Sequence, residues 1–487
     1  MSLDAWNVGF HLRSPKYWLN DPNGLCQFGG TYRFFYQYND SWPHADQKAW
    51  GQFASEDLVH WRYEGVSIEP SMYEDKNGVY SGCTVIERGA AADGSDVLRA
   101  YYTGNVIDPG PTHSPMDWGH VVEGRGANQI TCTSTDGVHF GPKQILLRNS
   151  DYPNNCSLHV RDPKVWVQDG TYYMLLGARD TLDTGMCLLY ASPDGVDWSF
   201  VREIRPQYPF GYMWECPNLV SLDGWDYLAA SPQGLPRLHD RWHNRCQAGY
   251  FPLPSSILST QDVDERTFVE WDHGHDFYAP QTFVDEARRS ILVGWLGGFD
   301  RAYQYAPEGL EWCHCLTVPR LLTRDGNTGL LLQNPVPEID TLRKERVDMQ
   351  NDVACAIPGR LADIVLTNVQ GEGSLTLDDD MEVFFREGRL GLRYAIPSSA
   401  AGREERSVPC ETLRDLRVLV DGSVVEVYAN GGSLVFSSRW FCAQKSTLSL
   451  RWTFDAAQAC AWSMEDAMCQ MYATAQAPQL HMEGRIR

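Results

Sequence analysis

Apolar residues along this chain come in short paired runs separated by polar turns, without the 3.6-residue period of helices. The stretch 20–38, "NDPNGLCQFGGTYRFFYQY", reads as a turn, a short strand, a Gly-Gly hairpin and a second, aromatic strand. The same order returns in "RDPKVWVQDGTYYMLLGAR" (161–179) and "WECPNLVSLDGWDYLAAS" (214–231). Looser copies are "YSGCTVIERGAAADGSDVLRAYYTGN" (80–105) and "YAPQTFVDEARRSILVGWLGG" (278–298). Between them a second phrase recurs: "SEDLVHW" (55–61), "STDGVHF" (134–140) and "SPDGVDW" (192–198). Each is a polar turn ending in a large aromatic, read here as an outer hairpin whose ring packs between sheets. Five such four-stranded units predict an all-β, five-bladed β-propeller over residues 1–337. Residues 338–347, beginning within "NPVPEIDTLRKER", read as a linker, and the short strands and turns of 348–487 as a β-sandwich.

The propeller reading makes a geometric claim. The first strand of each blade lines the central axis, so a residue just before that strand lies at one mouth of the channel. Asp21, Asp162 and Glu215 hold equivalent places in three units and are expected to converge there. Two carboxylates on either side of a glycosidic bond can hydrolyse it, one attacking and one donating a proton. The chain has 17 Trp, and Trp50, Trp61 and Trp295 sit near the repeated turns. Most are expected to be core, while flat aromatic faces can cover the C–H faces of a sugar. In the second domain Asp421 and Glu426 have no accompanying motif and read as turn and strand surface.

Composition narrows the classes. A chain of 487 residues exceeds one hydrophobic core and suits two domains. The formal charge of −22 argues against nucleic acid or an anionic membrane as partner. The start "MSLDAWNVGF" lacks the basic and apolar regions of a signal peptide, and no run approaches a membrane span. Fourteen cysteines scattered through apolar runs suit buried thiols in a reducing cytoplasm. Cys313 and Cys315 lack a second ligand pair, and there is no HExxH, P-loop or GxGxxG, so neither metal nor other cofactor is expected.

The stretches "WLNDPNG", "FYQYN", "VYSGC", "RDPKV", "WECPNL", "DFYAPQTF" and "LTVPRLL", in that order, resemble glycoside hydrolase family 32, the invertases, fructanases and sucrose-6-phosphate hydrolases. The resemblance resumes in "VDGSVVEVYANGGSLVFSSRWF", similar to the family's C-terminal domain. It implies a retaining β-fructofuranosidase acting on sucrose or sucrose 6-phosphate. Asp21 would be the nucleophile, Glu215 the general acid/base, and Asp162 the holder of two fructose hydroxyls. Asn20, Gln37, Trp50, Tyr80, Ser81, Arg161 and Trp295 would line the fructose subsite. Arg161 is expected to keep its neighbour Asp162 ionised, and Glu215 to sit among apolar neighbours. The chain departs from the family in "AWGQF", where many relatives place two histidines around the Trp, and in Ser-Gly-Cys, where many have Ser-Gly-Ser. Other readings are an exo-acting fructo-oligosaccharide hydrolase, a fructosyltransferase, and a sugar-binding propeller without catalysis. His44 and Lys48 are placed on the leaving-group side. The second domain is expected to shield the propeller, with a homodimer among the arrangements it allows.

Overall fold

The computed structural model describes residues 4–40, 47–107, 123–298, 309–403, 405–442, 445–476 and 480. Five antiparallel sheets follow one another along the first part of the chain. Their innermost strands are Tyr17–Phe28, Val79–Glu87, Cys156–Gln168, Met213–Leu222 and Tyr278–Val284. Each touches the next, and the fifth touches the first, so the five strands close a ring around an axis. Closure is reinforced where Trp312–Cys313, from the fifth blade's segment, pairs in parallel with Tyr17–Trp18 of the first blade. A propeller strand buries both faces between neighbouring blades, which explains runs such as Thr31–Asn39, buried at every residue but the first.

The recurring turn phrase has one construction in three blades. Ser55, Ser134 and Ser192 each accept a backbone N–H three residues on, at 2.8–2.9 Å. Asp57, Asp136 and Asp194 each accept two further N–H groups. The aromatics pack as expected: Phe140 against Phe35 of the preceding blade, and Trp198 against Tyr101 of the preceding blade.

Two six-stranded sheets form the sandwich, and its core fills the space between them. The expected linker is shorter than 338–347. Pro337–Leu342 is a 3-10 turn that buries Ile339 and Leu342. From Arg343 the chain is already an edge strand, Arg343–Asp348, paired with Asp455–Met464. Apolar residues at the start of the stretch and an Arg343–Asp363 ion pair at 2.7 Å tie it down.

Asp421 and Glu426 are not surface residues: both are 0% exposed. The N-terminal segment runs over the sandwich and presents His11 between them, Nδ1 to Asp421 at 2.7 Å and Nε2 to Glu426 at 2.7 Å. Asp421 also accepts the backbone N–H groups of Gly9, Phe10 and His11. Glu426 continues to Arg320 of the fifth blade at 2.5 Å, and Arg320 reaches Asp272 at 3.1 Å. A chain of buried charges therefore joins the N-terminal segment, the propeller and the sandwich.

Candidate active site

Every inner strand is irregular at the same place. Three steps along it are matched by only two along the second strand, at Leu19–Pro22, Val79–Gly82, Arg161–Lys164, Glu215–Asn218 and Tyr278–Gln281. The tripeptides carried by these bulges are Asn20-Asp21-Pro22, Tyr80-Ser81-Gly82, Arg161-Asp162-Pro163, Glu215-Cys216-Pro217 and Tyr278-Ala279-Pro280. Proline lacks the N–H that a ladder needs, so four of the five bulges are written into the sequence as a proline inside a strand. In the second blade glycine takes that place, because a Cβ on Gly82 would stand 1.9 Å from the Tyr101 carbonyl oxygen. A bulge re-aims side chains that the pleat would otherwise alternate. Asp162, Cys216 and Ala279 pay for it with φ of 64°, 46° and 47°. Asp21 thus lies within a 12-residue strand rather than in a turn ahead of one. Asp-Pro-Asn-Gly supplies two successive bulges where it was read as a turn.

These bulges bring the expected acids together. The Cys216 thiol lies 3.7 Å from carboxylate oxygens of both Asp21 and Asp162. Asp21 accepts from Ser81 Oγ at 2.5 Å and from Asn20 Nδ2 at 2.9 Å, and Trp18 Nε1 holds the Asn20 amide at 2.6 Å. Burial raises the Asp21 carboxyl above its ordinary range, the hydrogen bonds from Ser81 and Asn20 oppose this, and the Glu215 charge adds to it. Asp162 accepts the Cys216 backbone N–H at 2.9 Å and, through its own N–H, donates to Thr103. Burial pushes it up to about 7 despite the Arg161 charge, with Glu215 and Asp21 adding to the rise.

The Arg161 charge favours the ionised form of Asp162, as expected, but the guanidinium's hydrogen bonds go elsewhere. Its Nε and Nη2 donate to Glu215 Oε1 at 2.9 and 2.7 Å rather than to Asp162. Glu215 is likewise not in apolar surroundings. Its other oxygen accepts from Gln233 Nε2 and Tyr278 OH, both at 2.6 Å. Sequence reasoning missed Gln233 and Tyr278, although Tyr278 stands two residues before a proline, as Asn20, Arg161 and Glu215 do.

The expected subsite residues divide into rim and wall. Asn20, Asp21, Tyr80 and Glu215 are half-buried at the mouth. Gln37, Trp50 and Trp295 are nearly sealed, at 2%, 0% and 2% exposure. Gln37 donates to the Val79 carbonyl and Trp50 to the Tyr80 carbonyl, so both brace the second blade's bulge. Trp295 pairs across the ladder with Tyr278. The two tryptophans expected to line the subsite are packed behind the rim, Trp50 in the inter-blade core against Phe35. Ser81 and Arg161 are buried but spend their polar atoms on Asp21 and Glu215. Lys48 lies with its ammonium 4.8 Å from the Trp18 ring centre, and its charge helps hold Asp21 ionised. His44 lies outside the described residues.

Comparison with known proteins agrees with this geometry. Residues 11–335 match the Glycosyl hydrolases family 32 N-terminal domain, and residues 382–461 match the Glycosyl hydrolases family 32 C terminal. The chain is 33% identical to a sucrose-6-phosphate hydrolase of Bacillus subtilis, over 90% of this chain and 89% of that protein. It is 34% identical to the Escherichia coli sucrose-6-phosphate hydrolase, over 88% of each. The solved sucrose-6-phosphate hydrolase of Lactobacillus gasseri superposes with a TM-score of 0.81 at 28% identity, over 95% of this chain and 94% of that one. The chain belongs to glycosyl hydrolases family 32, and it is a glycoside hydrolase.

Proposed function

We propose that the chain is a retaining β-fructofuranosidase releasing fructose from sucrose or sucrose 6-phosphate, with Asp21 as nucleophile and Glu215 as general acid/base. The observation that carries this reading is the Cys216 thiol, within 3.7 Å of both Asp21 and Asp162 and adjoining Glu215 in sequence: acids from three blades meet at one spot. Asp21 attacks the anomeric carbon while Glu215 protonates the departing glucosyl oxygen. Glu215 then takes a proton from the water that breaks the fructosyl ester, and two inversions return the original configuration.

The surroundings suit these roles. Asp21 accepts two hydrogen bonds and has the Lys48 charge nearby, so it attacks as a carboxylate. Glu215 must hold and release a proton, and Tyr278 is a partner that adapts to both states. Its hydroxyl donates to Glu215 at 2.6 Å or turns toward the Ser231 carbonyl at 3.3 Å. Asp162, fixed by the Cys216 backbone, is placed to grip fructose hydroxyls. All 14 cysteines are free thiols, which suits a cytoplasmic enzyme, and the matched relatives support the choice of substrates. Fructose release from sucrose, sucrose 6-phosphate, kestose and inulin, measured side by side, tests the reading, with the anomer of the first fructose followed by NMR. Fast release from the two sucroses as the β anomer is expected. Preference for inulin would make the chain an exo-fructanase, and no release from any substrate would leave a sugar-binding propeller.

A further inference from the structure

Arg125 opens the third strand of the second blade, Arg125–Ser134, and pairs with Ile107. Its guanidinium carbon lies 5.7 Å from the centre of the Tyr80 ring. Tyr80 is a rim residue, next to the Ser81 that bonds Asp21. Arg125 is also close enough to feel both the Arg161 and the Glu215 charges. The buried guanidiniums of Arg161, Arg320 and Arg360 each face a carboxylate within 2.7 Å, and those of Arg13 and Arg33 donate to backbone carbonyls. For Arg125 no carboxylate among the described residues lies at ion-pair distance, and its Nε has no hydrogen-bond partner. A buried Nε with no partner is costly unless an acceptor completes it.

Position says which anion. Glu215 protonates the leaving oxygen, so the departing sugar lies on the Glu215 side, where Arg125 stands. When Glu215 carries its proton, less negative charge offsets Arg161 and Arg125 nearby. A phosphate dianion fits Arg125, whose guanidinium faces no carboxylate among the described residues, since such forks bind phosphate oxygens two at a time. In a chain of net charge −22 such a local excess of positive charge is the condition for holding a dianion at all.

We propose that Arg125 is a specificity residue for a phosphorylated leaving sugar, its guanidinium taking the phosphate of a glucose 6-phosphate unit whose fructosyl partner lies over Asp21. This rests on the β-fructofuranosidase reading and selects between its two substrates.

The test is the ratio of kcat/KM on sucrose 6-phosphate to kcat/KM on sucrose, in the wild type, Arg125→Met and Arg125→Lys. The ratio cancels any fraction of misfolded enzyme. It is expected to fall at least about tenfold in Arg125→Met, mainly through KM, and less in Arg125→Lys, which keeps the charge without the fork. A fall smaller than about tenfold in Arg125→Met overturns the assignment. Calorimetric binding of glucose 6-phosphate against glucose separates this from the fructosidase reading. If the wild type releases no fructose from either sugar, that reading fails by itself. Arg125 then still stands if the wild type prefers glucose 6-phosphate and Arg125→Met loses the preference, and falls if it does not.

Discussion

At the scale of single residues the site is a set of acids with different surroundings. Asp21→Asn should abolish turnover with the fold intact, because the bulge depends on Pro22 and not on the charge; hydrolysis surviving within about tenfold would mean another nucleophile. Glu215→Gln is expected to cost on the order of 10²–10⁴ in rate on sucrose, and much less on a fructoside whose leaving group needs no proton. Similar losses on both substrates would count against the acid role. Burial raises the Asp21 carboxyl above 3.8, and the Ser81 hydrogen bond restrains that rise. A nucleophile that must be ionised therefore loses activity on the acid side at a pH above 3.8, and Ser81→Ala should move that limb of the kcat/KM profile upward. An unmoved limb would show that another group sets it. The three acids were legible in the sequence because each stands within two residues of a proline at the head of a repeat. The partnership of Arg161 with Glu215 was not, because adjacency to Asp162 in sequence says nothing about the direction a bulge gives a side chain.

At the scale of elements the bulge is the unit that repeats. Five strands with a one-residue irregularity at equal height aim successive side chains into one mouth, where a regular pleat would send every second one into a blade. This makes a backbone position testable. Gly82→Ala would set a methyl 1.9 Å from the Tyr101 carbonyl and 2.7 Å from the Tyr102 Cα. The inner strand must shift, destabilising the protein by about 1–3 kcal/mol and withdrawing Ser81 from Asp21. Thermal melting and kcat should fall together, and a variant with wild-type values for both would show that the second blade's bulge is unimportant. Paired runs and repeated turn phrases were enough to read the five blades. The site's back wall was harder, because an indole ring near a turn looks the same in sequence whether it faces ligand or core. Trp50 and Trp295 went to the core, where a large apolar ring gains most.

At the scale of the whole molecule the buried charge chain decides how the parts stay together. Burial opposes protonation of His11, but hydrogen bonds to Asp421 and Glu426 outweigh it and raise the imidazole from 6.5 to about 9. A group that binds its proton more tightly when folded adds stability that is complete below pH 6.5 and disappears as pH rises through about 9. His11→Ala should cost about 3–5 kcal/mol, since it leaves two buried carboxylates facing each other. The melting-temperature gap between wild type and this variant should be wide at pH 6 and narrow steadily toward pH 9 and beyond. A gap constant across that range would mean His11 acts by packing alone. None of this was visible in the sequence, where Asp421 and Glu426 stand on hairpin strands without a motif and their partner lies 410 and 415 positions away. That separation also governs how the protein comes off the ribosome. Gly9, Phe10 and His11 are made roughly 20–80 s before the carboxylate that receives them at ordinary elongation rates. Tyr17 and Trp18 likewise wait for Trp312 and Cys313 before the ring can close. The nascent chain therefore carries the His11 segment without its partner while the next 410 positions are made.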